Sequence, residues 1–84
     1  MYYVYVLQSK KDKYIYIGYT NDLKARFKRH NSGLVKSTKP RVPFELAYYE
    51  GYKDKKDAAK RELFLKTHQQ RDLLKERLEY SLKK

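Results

Sequence analysis

Within KYIYIGYT, Lys13 to Thr20, the phenols Tyr14, Tyr16 and Tyr19 crowd around Gly18. A phenol can pack a large ring, offer a surface to a nucleobase, or move a proton through its hydroxyl, and the stretch alone leaves all three open. Arg26 and His30 follow in NDLKARFKRH. At about 100° per residue, Arg26 lies about 60° and His30 about 20° from Leu23 on a helical wheel, with Phe27 on the other side. An arginine beside a packed stripe can present its planar fork to a phosphate, or merely snorkel. A histidine there can hydrogen-bond or shuttle a proton, or close the helix end where a cation favours the dipole. Further on, Glu62 shares an arc of about 160° with Ala58, Ala59, Leu63, Leu65 and Lys66. A carboxylate on the packed side of a helix needs compensation. Lys66, one turn on, offers an ordinary ion pair, and a hard divalent cation held by Glu62 and water offers another. Serine-type triads, phosphate-binding glycine loops and His/Cys zinc spacings are absent, and the only histidines are His30 and His68. Hydrolytic chemistry in this chain would rest on tyrosine, arginine, His30 and one glutamate.

Positioning these groups calls for a small sheet and helices. Tyr2–Gln8 and Lys13–Gly18 alternate β-branched and aromatic residues with period two, and the polar SKKD between them predicts an antiparallel hairpin. Pro43–Tyr52 reads as a third strand, opened by Pro43 and ended at Gly51. The face of Ile15 and Ile17 is expected to pack on helices, and that of Tyr14 and Tyr16 to carry chemistry. One helix is capped by Thr20, Asn21 or Asp22 and stops at Asn31–Gly33, with Leu23 and Phe27 inward. A second starts near Asp54 or Asp57. A third, over about 70–82, carries Leu74, Leu78 and Leu82 at four-residue spacing. The expected fold is α/β in the α+β sense: a three-stranded antiparallel sheet flanked by helices, in the order ββα-β-αα.

The 84 residues suit a single domain, with a core over about 2–68 and the last helix outside it. There are no cysteines for disulfides or thiolate metal sites. No run of about 18 apolar residues could span a membrane, and the first lysines follow the opening apolar stretch instead of preceding it, so a cytoplasmic protein is expected. The formal net charge is +11. Between Lys10 and Arg41, ten Lys/Arg face only Asp12 and Asp22, whereas from Val42 onward eleven bases meet eight acids. That asymmetry points to a polyanion-binding face. Lys36, Lys39 and Arg41 in the basic loop, with Lys28 and Arg29 at its margin, are the expected phosphate contacts.

The triplets Tyr3-Val4-Tyr5 and Tyr16-Ile17-Gly18, ten residues apart, resemble the signature of the GIY-YIG nuclease superfamily. NDLKARFKRH is similar to that family's arginine-bearing helix, and AAKRELFLK to its metal-binding glutamate helix. The closing RDLLKE is similar to small bacterial members. The resemblance implies metal-dependent endonuclease hydrolysis of a phosphodiester bond, on DNA before RNA, with one Mg²⁺ or Mn²⁺. Tyr5 and Tyr16 would be paired tyrosines on adjacent strands, with Tyr16 the base that activates water. Gly18 would turn the chain and leave room for a phosphate. Arg26 would stabilise charge on that phosphate, His30 would assist by hydrogen bonding or proton transfer, and Glu62 would ligate the metal. Tyr19 stands where excision-repair members carry a lysine, so activation of the phenol would come from metal-bound water, Lys13, Lys24 or His30. A protein partner could supply specificity. The alternative function is a nucleic-acid-binding module of the same fold with little catalysis, and a protein–protein adaptor is a third.

Overall fold

The computed structural model describes residues 1–83. Three strands, β1 (Tyr2–Ser9), β2 (Ile15–Thr20) and β3 (Phe44–Tyr52), form an antiparallel sheet in the order β2-β1-β3. Three α-helices accompany it: α1 (Leu23–Asn31), α2 (Lys55–Lys66) and α3 (His68–Arg77), with a single 3₁₀ turn at Lys39–Arg41. The element order and sheet are those expected. The boundaries shift by one or two residues at most ends, and by more at the C-terminus.

β1 is the central strand, and Val4 to Ser9 are all buried because both faces and both edges are covered. Alternation then splits the molecule into two layers. On one face Val4, Val6, Ile15 and Ile17 pack against Ala58, Leu65, Leu74, Leu78 and Leu82 of α2, α3 and the tail beyond. The isoleucine face therefore packs on helices, as expected. On the other face Tyr5, Leu7 and Phe44 form a second cluster with Tyr16, Leu23, Phe27 and Val42, and α1 lies over it. A register shift between Val6 and Leu7 bulges β3 at Ala47. That extra residue lets Leu46 and Tyr49 both line the α1 face, opposite Leu7 and Tyr5.

The hairpin is looser than a two-residue turn. Ser9 N–H donates to the Tyr14 carbonyl at 2.8 Å and Lys13 N–H to the Ser9 carbonyl at 3.0 Å, while Lys13 takes φ +67°. β2 consequently begins at Ile15, not Lys13. Asp22 caps α1 by accepting from Ala25 N–H at 3.1 Å, and Asp54 caps α2 by accepting from Lys56 N–H at 2.8 Å. In α2 the inward arc is narrower than the wheel implied: Leu63 is 67% exposed, and Ala58 and Leu65 carry the packing.

The last helix differs most from expectation. Thr67, at φ −64° and ψ 148°, ends α2 and opens α3, so α3 starts at His68 and stops at Arg77, not 70 to 82. Leu78 N–H still donates to the Leu74 carbonyl and Leu82 N–H to the Leu78 carbonyl, both at 2.9 Å, which keeps the three leucines in line. The tail is pinned to β1: Gln8 Nε2 donates to the Lys83 carbonyl at 2.7 Å, and Lys83 N–H to Gln8 Oε1 at 2.8 Å. Those two bonds satisfy an otherwise costly buried amide.

Candidate active site

Tyr5 projects from the middle of β1 onto the α1 face and is almost wholly buried. Its strand partner across the β1–β2 pair is Gly18. A Cβ at Gly18 would stand 2.6 Å from Tyr5 Oη and 2.7 Å from Cζ, so any side chain there would expel the phenol. Gly18 sits inside β2, and the only glycine with positive φ is Gly33. The room it leaves is therefore filled by Tyr5, and the chain does not turn at this residue, in contrast to the role expected of it. Tyr16, two residues earlier on the same face, is half-buried and pairs with Leu7, with its ring centre 6.2 Å from that of Tyr5. The two tyrosines are thus diagonal neighbours.

α1 supplies the next two groups. His30 is fully buried, closer to the core than a residue beside the stripe. Its Nε2 lies 2.8 Å from Tyr5 Oη, and its Nδ1 lies 2.8 Å from Thr38 Oγ1. Thr38, buried too, donates its hydroxyl to the Val35 carbonyl at 3.4 Å. With that hydrogen committed, Thr38 accepts from His30 Nδ1–H, which leaves Nε2 as the acceptor for the Tyr5 hydroxyl. Arg26 closes the chain by donating from Nε to Tyr5 Oη at 3.4 Å.

The electrostatics agree with this order. Burial pushes the Tyr5 phenol up to about 12, aided by the charges of Tyr16 and Glu62 and opposed by the Arg26 hydrogen bond. Burial, with Arg26 nearby, pushes His30 down to about 4. The hydrogen bond to Tyr5 raises Arg26 further above its ordinary range. The resting trio is a protonated phenol, a neutral imidazole and a guanidinium. Both shifts oppose proton transfer from Tyr5 to His30, and burial favours a neutral His30 over a cation closing the helix end.

Glu62 comes from α2 on the opposite layer, yet its charge is felt at Tyr5. Its side chain is only 15% exposed and pairs with Lys66 Nζ at 3.2 Å. Lys66 Nζ in turn lies 6.0 Å from the centre of the Tyr16 ring. Sequence reasoning read Lys66 only as a partner for Glu62 and passed over Thr38, which has no neighbour in sequence to mark it. Among the described residues no three of His, Cys, Asp or Glu cluster as a metal cage.

Of the expected phosphate contacts, Lys28, Arg29, Lys36 and Lys39 are exposed. No carboxylate pairs with any of them among the described residues. Lys36 and Lys39 flank Thr38 on the segment that closes over His30. Arg41 differs: it pairs with Asp12, and its Cζ lies 3.9 Å from the centre of the Tyr14 ring. No described helix is long and apolar enough to cross a membrane.

A family model described as the GIY-YIG catalytic domain matches residues 1–83, and the chain belongs to that nuclease family. Its relatives are UPF0213 proteins. It is 43% identical over 67 residues to one from Clostridium perfringens, covering 79% of this chain and 71% of the relative. A second, from Staphylococcus epidermidis, is 42% identical over 74 residues, covering 87% of this chain and 89% of the relative. The solution NMR structure of a UPF0213 protein from Bacillus halodurans superposes with a TM-score of 0.55 at 36% identity, covering 88% of this chain and 82% of that one.

Proposed function

We propose that the chain is a divalent-metal-dependent endonuclease that hydrolyses phosphodiester bonds of DNA, or of RNA, with Tyr5, Tyr16, Arg26, His30 and Glu62 as its working groups. The observation that carries this reading is the convergence of Tyr5, Tyr16, Arg26 and His30 on one sheet face, with a carboxylate in electrostatic reach. The donor set fits a metal. Glu62 is a hard oxygen ligand held largely out of solvent, and the cation that now neutralises it is a flexible lysine that can yield. Glu62 would hold Mg²⁺ or Mn²⁺, with water and phosphate oxygens completing the shell. Bound there, the cation would supply charge stabilisation at the leaving oxygen.

The protein's own groups have separable tasks. Tyr16, the more accessible phenol, would take the proton of the attacking water. To do so it must act as the phenolate, and Arg26 and Lys66 flank it and would stabilise that anion until it accepts the proton. Tyr5 keeps its proton and gives it to His30 as a hydrogen bond, which fixes the phenolic oxygen under Arg26. Arg26 spends one of its five N–H donors there and has others to direct at a phosphate. His30 acts through Tyr5, as a positioning residue set by Thr38. We place the protein in the cytoplasm, with its basic surface receiving the nucleic acid.

The test is cleavage of single-stranded, duplex, branched and RNA substrates with Mg²⁺ or Mn²⁺. Tyr16→Phe and Glu62→Ala are each expected to lower the rate at least 100-fold. Cleavage that persists in both variants would mean a contaminant and would sink the assignment. If the wild type cleaves nothing and Mn²⁺ leaves the Glu62 resonances unmoved while nucleic acid still binds, the protein is a binding module.

A further inference from the structure

Tyr14 stands immediately before β2, two residues before Tyr16. Its carbonyl accepts from Ser9 N–H at 2.8 Å, while its own N–H leaves the sheet and donates to Asp12 Oδ1 at 3.0 Å. Two guanidinium groups from distant parts of the chain meet at its exposed ring. Arg41, after α1, places its Cζ 3.9 Å from the ring centre, and Arg71 of α3 places its Cζ at 5.1 Å, so the two lie within about 9 Å of each other. Asp12 pairs with Arg41, while Arg71 donates one N–H to the Ile15 carbonyl on the open edge of β2 and has no carboxylate partner among the described residues. Two arginines against one carboxylate leave this corner positively charged.

Capping an edge strand explains one N–H of Arg71 and no more. A guanidinium held over an aromatic ring keeps other in-plane donors directed sideways, where a phosphate can accept two at once. At β2 and the residue before it, cations stand beside successive tyrosines: Arg26 and Lys66 at Tyr16, Arg71 and Arg41 at Tyr14. Only Ile15 separates the two tyrosines along the chain.

We propose that the Tyr14–Arg41–Arg71 corner is a phosphate subsite for the nucleic-acid strand that runs along the edge of β2, gripping the backbone next to the phosphate at Tyr16. The assignment of that second phosphate as scissile rests on the nuclease reading, and the grip itself does not. The subsite recognises the phosphodiester backbone and reads no base. Arg71 is its principal new residue, because Arg41 already spends donors on Asp12.

The test is fluorescence anisotropy with a fluorescein-labelled oligodeoxythymidylate in metal-free buffer, over a series of salt concentrations, with oligouridylate as a second arm. Arg71→Ala is expected to weaken binding roughly five- to tenfold and to flatten the salt slope by about 1. Arg71→Lys should keep the slope and lose part of the affinity, because the charge survives and the fork does not. Since Arg71 also holds the β2 edge, the wild type is titrated in parallel by NMR, with shifts expected at the Arg71 Nε–H and the Tyr14 amide. A folded Arg71→Ala variant with wild-type affinity and slope overturns the subsite, as do unmoved Arg71 and Tyr14 signals or no binding by the wild type. Cleavage of nucleic acid with Mn²⁺ by a protein that fails these tests leaves the nuclease reading standing. Loss of affinity in Arg71→Ala of a protein that cleaves nothing keeps the subsite and removes that reading.

Discussion

Burial turns His30 from a group that titrates near neutrality into a fixed hydrogen-bond acceptor, and this has a measurable consequence. The unfolded chain takes up a proton at this histidine below about pH 6.5, while the folded chain resists until about pH 4. The unfolded state therefore binds more protons across that window, and stability falls as the pH is lowered through it, by up to about 3 kcal/mol at 1.36 kcal/mol per pH unit. Asp12, Glu45 and Glu50 are all shifted below the usual carboxylate range, so their stabilisation is lost further down. Urea midpoints between pH 6.5 and 5 isolate the histidine: the wild type is expected to slope and His30→Gln to be nearly flat. A flat wild type would show that His30 charges freely. At this scale much of the site was legible, because helical spacing alone places Arg26 and His30 near Leu23, and a carboxylate between Ala58 and Leu65 stands out. The depth of His30 was not legible, since Tyr5, Tyr16, Phe44 and Thr38 meet around it from separate parts of the chain. Arg41 looked like a free cation because its pairing with Asp12 crosses 29 residues.

Elements were legible wherever a period is sustained. Alternation in β1 and β2 separates the face of Val4, Val6, Ile15 and Ile17 from that of Tyr5 and Tyr16, and the two clusters divide along that line. The leucine spacing at 74, 78 and 82 likewise marks the residues that cover the helix-side core, although the last of them lies beyond α3. What local pattern could not carry is the end of that segment, which is set by the bonds between Gln8 and Lys83 across 75 residues. The β3 bulge at Ala47 is equally a matter of pairing with β1. Because α3 covers the sheet chiefly through Leu74, Leu74→Ala is expected to cost about 2–5 kcal/mol in chemical unfolding, as a buried leucine truncated beneath a small sheet. Leu73→Ala, at an exposed neighbour, should change stability by about 0.5 kcal/mol or less. Equal effects from the two variants would mean that α3 does not dock on the sheet as described.

For the molecule as a whole, charge is unevenly distributed along the chain. The surplus of bases lies between Lys10 and Arg41, the segment that contains α1 and the loop closing over His30. Within it Arg26 is committed to Tyr5 and Arg41 to Asp12 and Tyr14. Lys28, Arg29, Lys36 and Lys39 are exposed and unpaired among the described residues, so under the proposed function they are available to neutralise phosphates and release the counterions condensed on a nucleic acid. Alanine at Lys28, Lys36 or Lys39 is therefore expected to weaken affinity for every sequence alike and to flatten the salt slope by about 1 per substitution, with no change in unfolding midpoint. Long-range attraction of this kind is screened over about 8 Å at physiological ionic strength, so differences between these variants and the wild type should shrink as salt is raised. A variant that changes which sequences bind, at an unchanged salt slope, would place that lysine against a base edge and remove it from the backbone-binding face.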